Sequence, residues 1–384
     1  MSLPSNVALV HDWLVTAGGA ERCLSAIGGL FPGADLYTLV YAEEAARLAG
    51  FRPESVHASF LQRLPRAQTW YPKYLPLFPL AVEGFDLDQY DLVISSSWAV
   101  AKGALTHSGQ LHICYCHTPM RYAWDLTHDY LRQNGLDRGL KGLAGRAVMH
   151  YLRLWDLSTA NRVDHFVANS HYVARRISRT YRRESRVIYP PVEVHRFSVQ
   201  PDKENYFLFV SRLVPYKRLD LVVEAFRKLR LPLVVIGDGP ERRRLERHAP
   251  DNVLFLGWLS DQEVQRHMEG ARALIFAADE DFGIVPVEAQ ACGTPVIAYG
   301  RGGVTESVVP WERGGGLATG LFFGEQRAEA LEAAVREFVA VEASFSPTVI
   351  RANAERFARE RFEWQFRTFV NQCRETHPGR RHAR

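Results

Sequence analysis

Two successive series of short apolar runs, each run followed by a helical stretch, constrain the fold of this 384-residue chain more than any other feature. The first series comprises residues 7–10, 92–95, 112–116 and 165–168. The second comprises residues 206–210, 233–236, 253–256, 274–276 and 295–298. Such alternation is typical of βαβ units around a parallel sheet. We therefore predict an α/β protein with two Rossmann-like domains.

Tyr189-Pro190-Pro191 separates the two series, because proline continues neither a strand ladder nor a helix and stiffens a linker. The chain length also predicts two domains. We expect a first domain over residues 1–190 and a second over residues 191–347, facing each other across a cleft. Residues 348–373 are expected to form a final helix, and residues 374–384 a flexible basic tail.

The composition is that of a globular protein that forms a core, with 47% hydrophobic and 23% charged residues. The amino-terminal residues lack a signal-peptide pattern, and no run reaches the ~18 apolar residues of a membrane span. The five cysteines are odd in number and lie mostly in apolar segments, which is typical of reduced core residues. We therefore expect a cytoplasmic protein.

The segment from Glu280 to Glu288 combines two carboxylates with a helix start. An apolar run ends at Phe276, and a helix is predicted to begin at Val287 and to run to Cys292-Gly293. Open α/β sheets bind ligands at the carboxyl ends of their strands. The backbone amides of the four residues Phe282, Gly283, Ile284 and Val285 lie at a helix start, where they favour an anion. The flanking carboxylates are suited to the hydroxyl groups of a sugar or ribose.

Arg212 and Lys217 follow the first apolar run of the second series. An arginine fork clamps two phosphate oxygens, and a lysine adds a point charge, so the two residues are suited to one diphosphate. A surface ion pair is the alternative. Asp279-Glu280-Asp281 also spells D-x-D, a pattern that holds a divalent metal in some enzymes that release a diphosphate. We favour no metal here, because Arg212, Lys217 and a helix N-terminus supply positive charge.

Two further segments follow strand ends in the first series. Gly18 and Gly19 open the first helix, where they leave amides free for a phosphate, although a plain turn explains them equally well. His117 ends a segment that also contains Cys114 and Cys116. A zinc site there is disfavoured, because neighbouring residues of a strand point to opposite faces and no second ligand pair follows.

The Glu280-x7-Glu288 pattern resembles the motif of the retaining glycosyltransferases of family 4, and matching residues are spread over most of the chain. The resemblance implies a GT-B architecture, in which the final helix crosses back to the first domain. It also implies a nucleotide-sugar donor. It implies Glu288 on the ribose and Arg212 and Lys217 on the diphosphate. Glu280 and His117 would orient the sugar. The loops at Gly18-Gly19 and at Gly239 would approach the diphosphate and the nucleotide base, with turn chemistry as the alternative for the glycines.

The string from Tyr115 to Trp124 resembles mannosyltransferases that build bacterial O-antigen and exopolysaccharide repeats. This resemblance implies GDP-mannose as donor and a lipid-linked saccharide as acceptor. Arg121, Tyr122 and Trp124 are then candidates for acceptor binding, whereas ordinary packing is the alternative for the two aromatic residues. A transferase that uses a UDP-sugar, an epimerase of nucleotide sugars and a phosphorylase are the other enzyme classes that we considered.

Residues 131–190 contain 12 lysines and arginines against 4 acidic residues. Such a basic segment is suited to anionic lipid, a phosphorylated acceptor or nucleic acid. Trp70, Tyr71, Tyr74 and Phe78 form an aromatic segment in the same half of the chain. We predict a peripheral contact of both segments with the cytoplasmic face of the inner membrane, with packed aromatics as the alternative. Nucleic acid is not expected, because no recognition motif accompanies the charge.

Overall fold

The computed structural model describes residues 6–16, 18–200, 202–312 and 316–377. The chain divides into two compact units. The first comprises the residues up to Pro191 together with those from Phe362 onward, and the second spans Val192–Arg361. Each unit contains one parallel sheet, which confirms the prediction of two Rossmann-like α/β domains. The part of the predicted basic tail beyond residue 377 lies outside the described residues.

The first unit has a seven-stranded sheet. Its strands are β1 (Val7–His11), β2 (Asp35–Thr38), β3 (Val56–Ala58), β4 (Leu92–Ser97), β5 (Leu111–Cys116), β6 (His165–Ala168) and β7 (Ser185–Val187). Its helices are α1 (Gly19–Leu30), α2 (Glu43–Leu48), α3 (Ala67–Trp70), α4 (Phe78–Glu83), α5 (Thr127–Gln133), α6 (Gly139–Thr159) and α7 (His171–Tyr181).

The strand order of this sheet is β3-β2-β1-β4-β5-β6-β7, and every pairing is parallel. Side chains alternate between the two faces of each strand. Leu9 and Ile94 pack on one face with α1, whereas Val10 and Val93 pack on the other with α4 and α6. Both faces are covered, which is why the strands appear in the sequence as continuous apolar runs.

The second unit has a six-stranded sheet. Its strands are β8 (Phe207–Val210), β9 (Leu233–Ile236), β10 (Val253–Gly257), β11 (Ala273–Phe276), β12 (Val296–Tyr299) and β13 (Gly320–Phe323). Its helices are α8 (Leu219–Leu229), α9 (Arg242–Arg247), α10 (Asp261–Gly270), α11 (Ile284–Ala291), α12 (Val304–Ser307), α13 (Ala328–Val341) and α14 (Pro347–Ala354). The order β10-β9-β8-β11-β12-β13 is parallel throughout and reverses direction between β8 and β11.

The predicted single helix over residues 348–373 is wrong, because two helices, α14 and α15 (Arg359–Thr376), occupy this region. Between them the backbone leaves the helical hydrogen-bond pattern. The Val192 amide donates to the Phe357 carbonyl at 2.9 Å, and the Arg359 amide donates to the Val192 carbonyl at 3.1 Å. These bonds form an isolated bridge between Val192 and Ala358, and that bridge interrupts the helix.

The aromatic residues of the carboxyl-terminal segment have three different environments. Phe362 and Phe366 are buried in the core of the first unit, where their rings lie 5.8 and 6.3 Å from Tyr115. Phe357 instead packs on Phe282 of the second unit, with 5.4 Å between the ring centroids. Trp364 is exposed. The aromatic residues of this segment therefore divide between both units and solvent.

All five cysteines are buried and unpaired, in agreement with the prediction of reduced core residues. A search of the described residues for helices of membrane-spanning length and hydropathy finds none.

Candidate active site

The carboxyl ends of β8 and β11 lie side by side where the strand order reverses. Open α/β sheets bind ligands at this position, since the loops after the two strands diverge and leave a crevice. Arg212 and Lys217 follow β8, and Glu280 follows β11. The sheet topology therefore brings together three residues that the sequence assigns to the donor site.

Lys217 and Glu280 form a direct ion pair between the two loops. Their side chains are only 16% and 20% exposed, so solvent screens the pair weakly. Burial alone lowers the pKa of Lys217, but the negative charge of Glu280 and the hydrogen bond between the two outweigh this effect and raise it above its ordinary value. Lys217 is therefore a cation at neutral pH, and much of its charge is balanced by Glu280.

Arg212 differs from Lys217 because its side chain is exposed. Among the described residues, no acidic side chain pairs with its guanidinium. The backbone that carries Arg212 is nonetheless held firmly: the Leu213 amide donates to the Asp238 carbonyl at 2.9 Å. A Cβ at Gly239 would lie 2.4 Å from the Leu213 carbonyl oxygen, so only glycine permits this approach. Gly239 thus has a structural role in positioning the Arg212 loop.

The helix α11 begins at Ile284, three residues earlier than its predicted start at Val287. Gly283 allows this early start, because it adopts a left-handed conformation with φ 83° that turns the loop into the helix. The amides of the first turn have no partner within the helix and form the positive end of its dipole. Glu288 consequently lies in the second turn, where it is buried.

The loop that carries Glu280 is fixed from its other side by Gly302 and Gly303. The Gly303 amide donates to the Glu280 carbonyl at 2.8 Å. Gly302 has φ 86°, and a Cβ at this position would lie 2.5 Å from the Glu280 carbonyl oxygen. The sequence therefore requires glycine here so that the loop after β12 can support the loop after β11.

His117 lies at the carboxyl end of β5 in the first unit, as the sequence predicts. Its Nε2 is 2.9 Å from the Ser96 hydroxyl, and its ring packs edge-on against Trp98. Burial, with a smaller contribution from His11, lowers the pKa of His117 to about 3. The imidazole is therefore neutral at physiological pH and is suited to hydrogen bonding rather than to charge pairing. Its contact with a sugar stays a prediction.

Asp12 is a buried acidic residue at the carboxyl end of β1 that the sequence analysis did not single out as structurally important. Its buried carboxylate follows β1 and accepts four backbone N–H bonds, from residues 98–101, at 2.6–2.9 Å. Burial raises its pKa, while these hydrogen bonds oppose the shift. Asp12 thereby joins the loops after β1 and β4, the strands between which the order of the first sheet reverses. The sequence does contain one indication of such a role, since Asp12 is an acidic residue close behind the first apolar run.

Gly18 and Gly19 do start a helix, but the Gly18 amide already has an acceptor. It donates to the Glu21 carboxylate at 2.9 Å, and that side chain lies 4.0 Å from His11 Nε2. The Glu21 carboxylate thus already accepts the hydrogen bond of the Gly18 N–H group at the start of α1. The role of this loop in binding the donor stays a prediction.

The candidate acceptor residues pack largely within the first unit. Trp124 donates from its indole N–H to buried Asp156 at 2.7 Å, and the Tyr122 ring lies 5.6 Å from Tyr130. Arg121 is half-buried. Packing explains the two aromatic residues, and acceptor binding by all three residues stays a prediction.

The aromatic segment around residue 74 is mainly packed, in agreement with the alternative interpretation. Phe78 is part of the core, and Trp13 contacts both Phe78 and Tyr71. The Tyr74 hydroxyl donates to the Pro65 carbonyl at 2.8 Å. These contacts explain most of the segment by packing within the first unit. A membrane contact of this segment stays a prediction.

Within the part of the chain that the structure describes, no group of three or more histidine, cysteine, aspartate or glutamate side chains is arranged to hold a metal ion. In the Asp279-Glu280-Asp281 segment, Glu280 is paired with Lys217, and Asp279 lies 4.0 Å from Arg301.

Family models match both halves of the chain. The model described as Glycosyltransferase Family 4 matches residues 17–196, and the model described as Glycosyl transferases group 1 matches residues 192–357. The chain belongs to the family 4 glycosyltransferases. This membership confirms the resemblance seen in the sequence.

Solved structures show that this family 4 member has the GT-B fold. HepE of Anabaena in complex with UDP-glucose matches with a TM-score of 0.68 and 18% identity over 96% of this chain and 100% of that chain. Sucrose-phosphate synthase of Thermosynechococcus elongatus matches with a TM-score of 0.71 and 19% identity over 95% and 98% of the two chains.

Curated relatives of this family 4 member include mannosyltransferases. The GDP-mannose-dependent alpha-(1-6)-phosphatidylinositol monomannoside mannosyltransferase of Mycolicibacterium smegmatis is 31% identical over 51% of this chain and 56% of that protein. O-antigen chain mannosyltransferase C of Escherichia coli is 30% identical over 35% of this chain and 42% of that protein. The chain spans about half the length of the curated relatives it matches.

Proposed function

We propose that this chain is a retaining glycosyltransferase that transfers mannose from GDP-mannose to a lipid-linked saccharide in O-antigen or exopolysaccharide synthesis. One observation carries the proposal: Lys217 and Glu280 meet beside the start of α11, where the order of the second sheet reverses. A cation, a helix N-terminus and a carboxylate at one sheet edge suit a diphosphate that is linked to a sugar. The two mannosyltransferases among the relatives support mannose as the sugar.

In the proposed complex, Arg212 and Lys217 bind the diphosphate, and Glu288 binds the ribose. The exposed guanidinium of Arg212 has no acidic partner among the described side chains, so two of its N–H groups can bind two phosphate oxygens at once. The amides of Ile284 and Val285 add the positive end of the α11 dipole. These groups stabilise the negative charge that develops on the leaving diphosphate.

The proposed reaction proceeds on one face of the sugar. The bond between the anomeric carbon and the phosphate oxygen breaks, and the acceptor oxygen forms a bond to the same face of that carbon. The acceptor proton passes to the leaving phosphate, so that no protein general base is required. Glu280 orients the sugar hydroxyls in this scheme. The positive charge of Arg212, Lys217 and α11 supports the further proposal that no divalent metal is needed.

The proposed enzyme works at the cytoplasmic face of a membrane, because its acceptor is attached to a lipid. The basic character of residues 131–190 supports this location, since lysines and arginines are attracted to anionic lipid.

Isothermal titration with GDP and UDP tests which nucleotide base the donor carries. A mass-spectrometric assay with GDP-mannose and lipid-linked oligosaccharides tests sugar transfer. We expect GDP to bind more tightly than UDP, and the mannosylated product to form in the presence of EDTA. Tighter binding of UDP would contradict the choice of donor. Conversion of the nucleotide sugar without an acceptor would instead indicate an epimerase, and loss of transfer in EDTA would contradict the metal-independent scheme.

A further inference from the structure

The solvent-facing side of α6 exposes large apolar side chains over most of its length. The five residues and their exposed fractions are Leu140 (86%), Leu143 (62%), Tyr151 (46%), Leu154 (57%) and Leu157 (44%). The opposite side of the helix is buried in the core of the first unit through Met149, Leu152 and Trp155. The exposed residues are therefore not required to attach α6 to its own domain.

Four of these residues share one narrow face. At 3.6 residues per turn, Leu140, Leu143, Tyr151 and Leu154 fall within an arc of about 80°, and the face extends about 21 Å along the helix axis. We call these four residues the α6 stripe. Isolated apolar residues are common on protein surfaces, but an aligned set of this length is typical of an interaction site.

The exposed charged side chains of α6 itself are of one sign. Lys141 lies on one side of the stripe, and Arg146 lies on the other, next to His150. The single acidic residue of α6 is Asp156, which is fully buried and forms an ion pair with buried Lys102 at 2.9 Å. The exposed surface of α6 therefore combines apolar and basic side chains with no carboxylate.

We propose that the α6 stripe docks on an anionic phospholipid surface, with α6 lying in the plane of the interface. Helices of this kind insert leucine and aromatic side chains at the headgroup boundary, while flanking cations contact anionic headgroups. A second copy of this chain is a poorer partner, because a two-fold contact would bring Lys141 and Arg146 of both copies together. The inference rests on the proposed function only in that a lipid-linked acceptor gives the contact a purpose.

Sedimentation with vesicles tests this surface directly. The unmodified chain is mixed with vesicles of phosphatidylcholine alone or with about one third phosphatidylglycerol, at low and at high salt. We expect binding to the anionic vesicles that weakens at high salt. The variants Leu143→Glu and Leu154→Glu remove apolar contact and add negative charge, and their combination should lower the partition coefficient on anionic vesicles at least tenfold.

Leu48→Glu is the matched control, because Leu48 is 69% exposed on α2, which packs on the opposite face of the same sheet. This control should bind vesicles as the unmodified chain does, and all variants should keep its melting temperature. Failure of the unmodified chain to bind anionic vesicles, or unchanged binding of the double variant, would overturn the inference. So would a dimer in light scattering that the double variant abolishes.

GDP titration of the same variants separates the two proposals. The α6 stripe contains no donor-site residue, so we expect the affinity for GDP to be equal in all variants. A chain that binds vesicles through α6 but binds neither GDP nor UDP would refute the proposed function and leave the membrane contact intact. A chain that binds GDP but no vesicles would refute the membrane contact and leave the proposed function intact.

Discussion

The replacement Glu280→Gln tests the ion pair at the centre of the candidate site. It keeps the side-chain shape but removes the charge that balances Lys217 in a largely buried position. A hydrogen bond to a charged group is worth about 1.5–3 kcal/mol. Exposed ion pairs contribute less than about 1 kcal/mol, and breaking fully buried ones costs about 3–5 kcal/mol. The partial burial of this pair therefore predicts a loss of about 2 kcal/mol.

That loss has a defined thermal signature. In a domain of about 150–250 residues, 1 kcal/mol corresponds to about 2–4 °C, so the second unit should melt about 4–8 °C lower. The pKa of Lys217 is raised in the folded chain, so the stabilisation is complete below the ordinary lysine pKa and is lost only as pH rises above it. Calorimetry should therefore find the same difference at pH 6 and pH 8.

Glu280→Gln should bind GDP more tightly, although it lowers the melting temperature. Removing one negative charge about 4 Å from a phosphate is worth about 1 kcal/mol in water, which is about fivefold in affinity. We expect tighter GDP binding together with a fall of at least about 100-fold in transfer, because Glu280 orients the sugar. Glu329→Gln removes an exposed carboxylate that pairs with Lys228 and should change neither quantity. An unchanged melting temperature with weaker GDP binding would refute the reasoning.

Three further changes test other parts of the structure. Gly239→Ala should weaken GDP binding at least about tenfold in titration, because its Cβ would displace the Leu213 backbone and with it the Arg212 loop. Phe366→Ala should destabilise the first unit by about 3–5 kcal/mol in urea unfolding, and a loss below about 1 kcal/mol would contradict the packing of α15 in that core. The pKa of His117 is lowered to about 3 in the folded chain, so between about pH 6.5 and pH 3 only the unfolded chain binds a proton at this residue. The free energy of unfolding should therefore fall as pH drops through this range, by up to about 1.4 kcal/mol per pH unit for this residue. His117→Gln should remove that share, and an unchanged slope would show that His117 titrates normally.

The main strands could be predicted from the sequence because both faces of each sheet are buried. A strand of this kind, such as β9, forms a continuous apolar run. The short strand β7 (Ser185–Val187) was missed, because its side chains are only partly buried and its residues are partly polar. The break before α15 was also unpredictable, since it depends on hydrogen bonds to Val192, far away in the sequence. The residues next to Ala358 in the sequence contain no glycine or proline that would indicate this break.

The sequence placed the candidate site residues at strand ends but not in contact with one another. Lys217 and Glu280 are 63 positions apart, and their pairing follows from the adjacency of β8 and β11. The four amide bonds of Asp12 likewise depend on strand order rather than on a local motif. Surface exposure was the other missing information. Apolar residues of α6 and of the segment around Phe78 look alike in sequence, yet Leu140 is largely exposed whereas Phe78 is buried.

The most direct test of the account is the affinity of Arg212→Ala for GDP, measured by isothermal titration beside Arg336→Ala. Arg336 is an exposed arginine of the same unit that pairs with Glu332 on α13. If Arg212 binds the diphosphate, its loss removes about 1.5–3 kcal/mol of charged hydrogen bonding and weakens GDP binding about 10- to 150-fold. The Arg336 variant should bind GDP as the unmodified chain does. Equal affinities of both variants and the unmodified chain would contradict a diphosphate site at the carboxyl ends of β8 and β11.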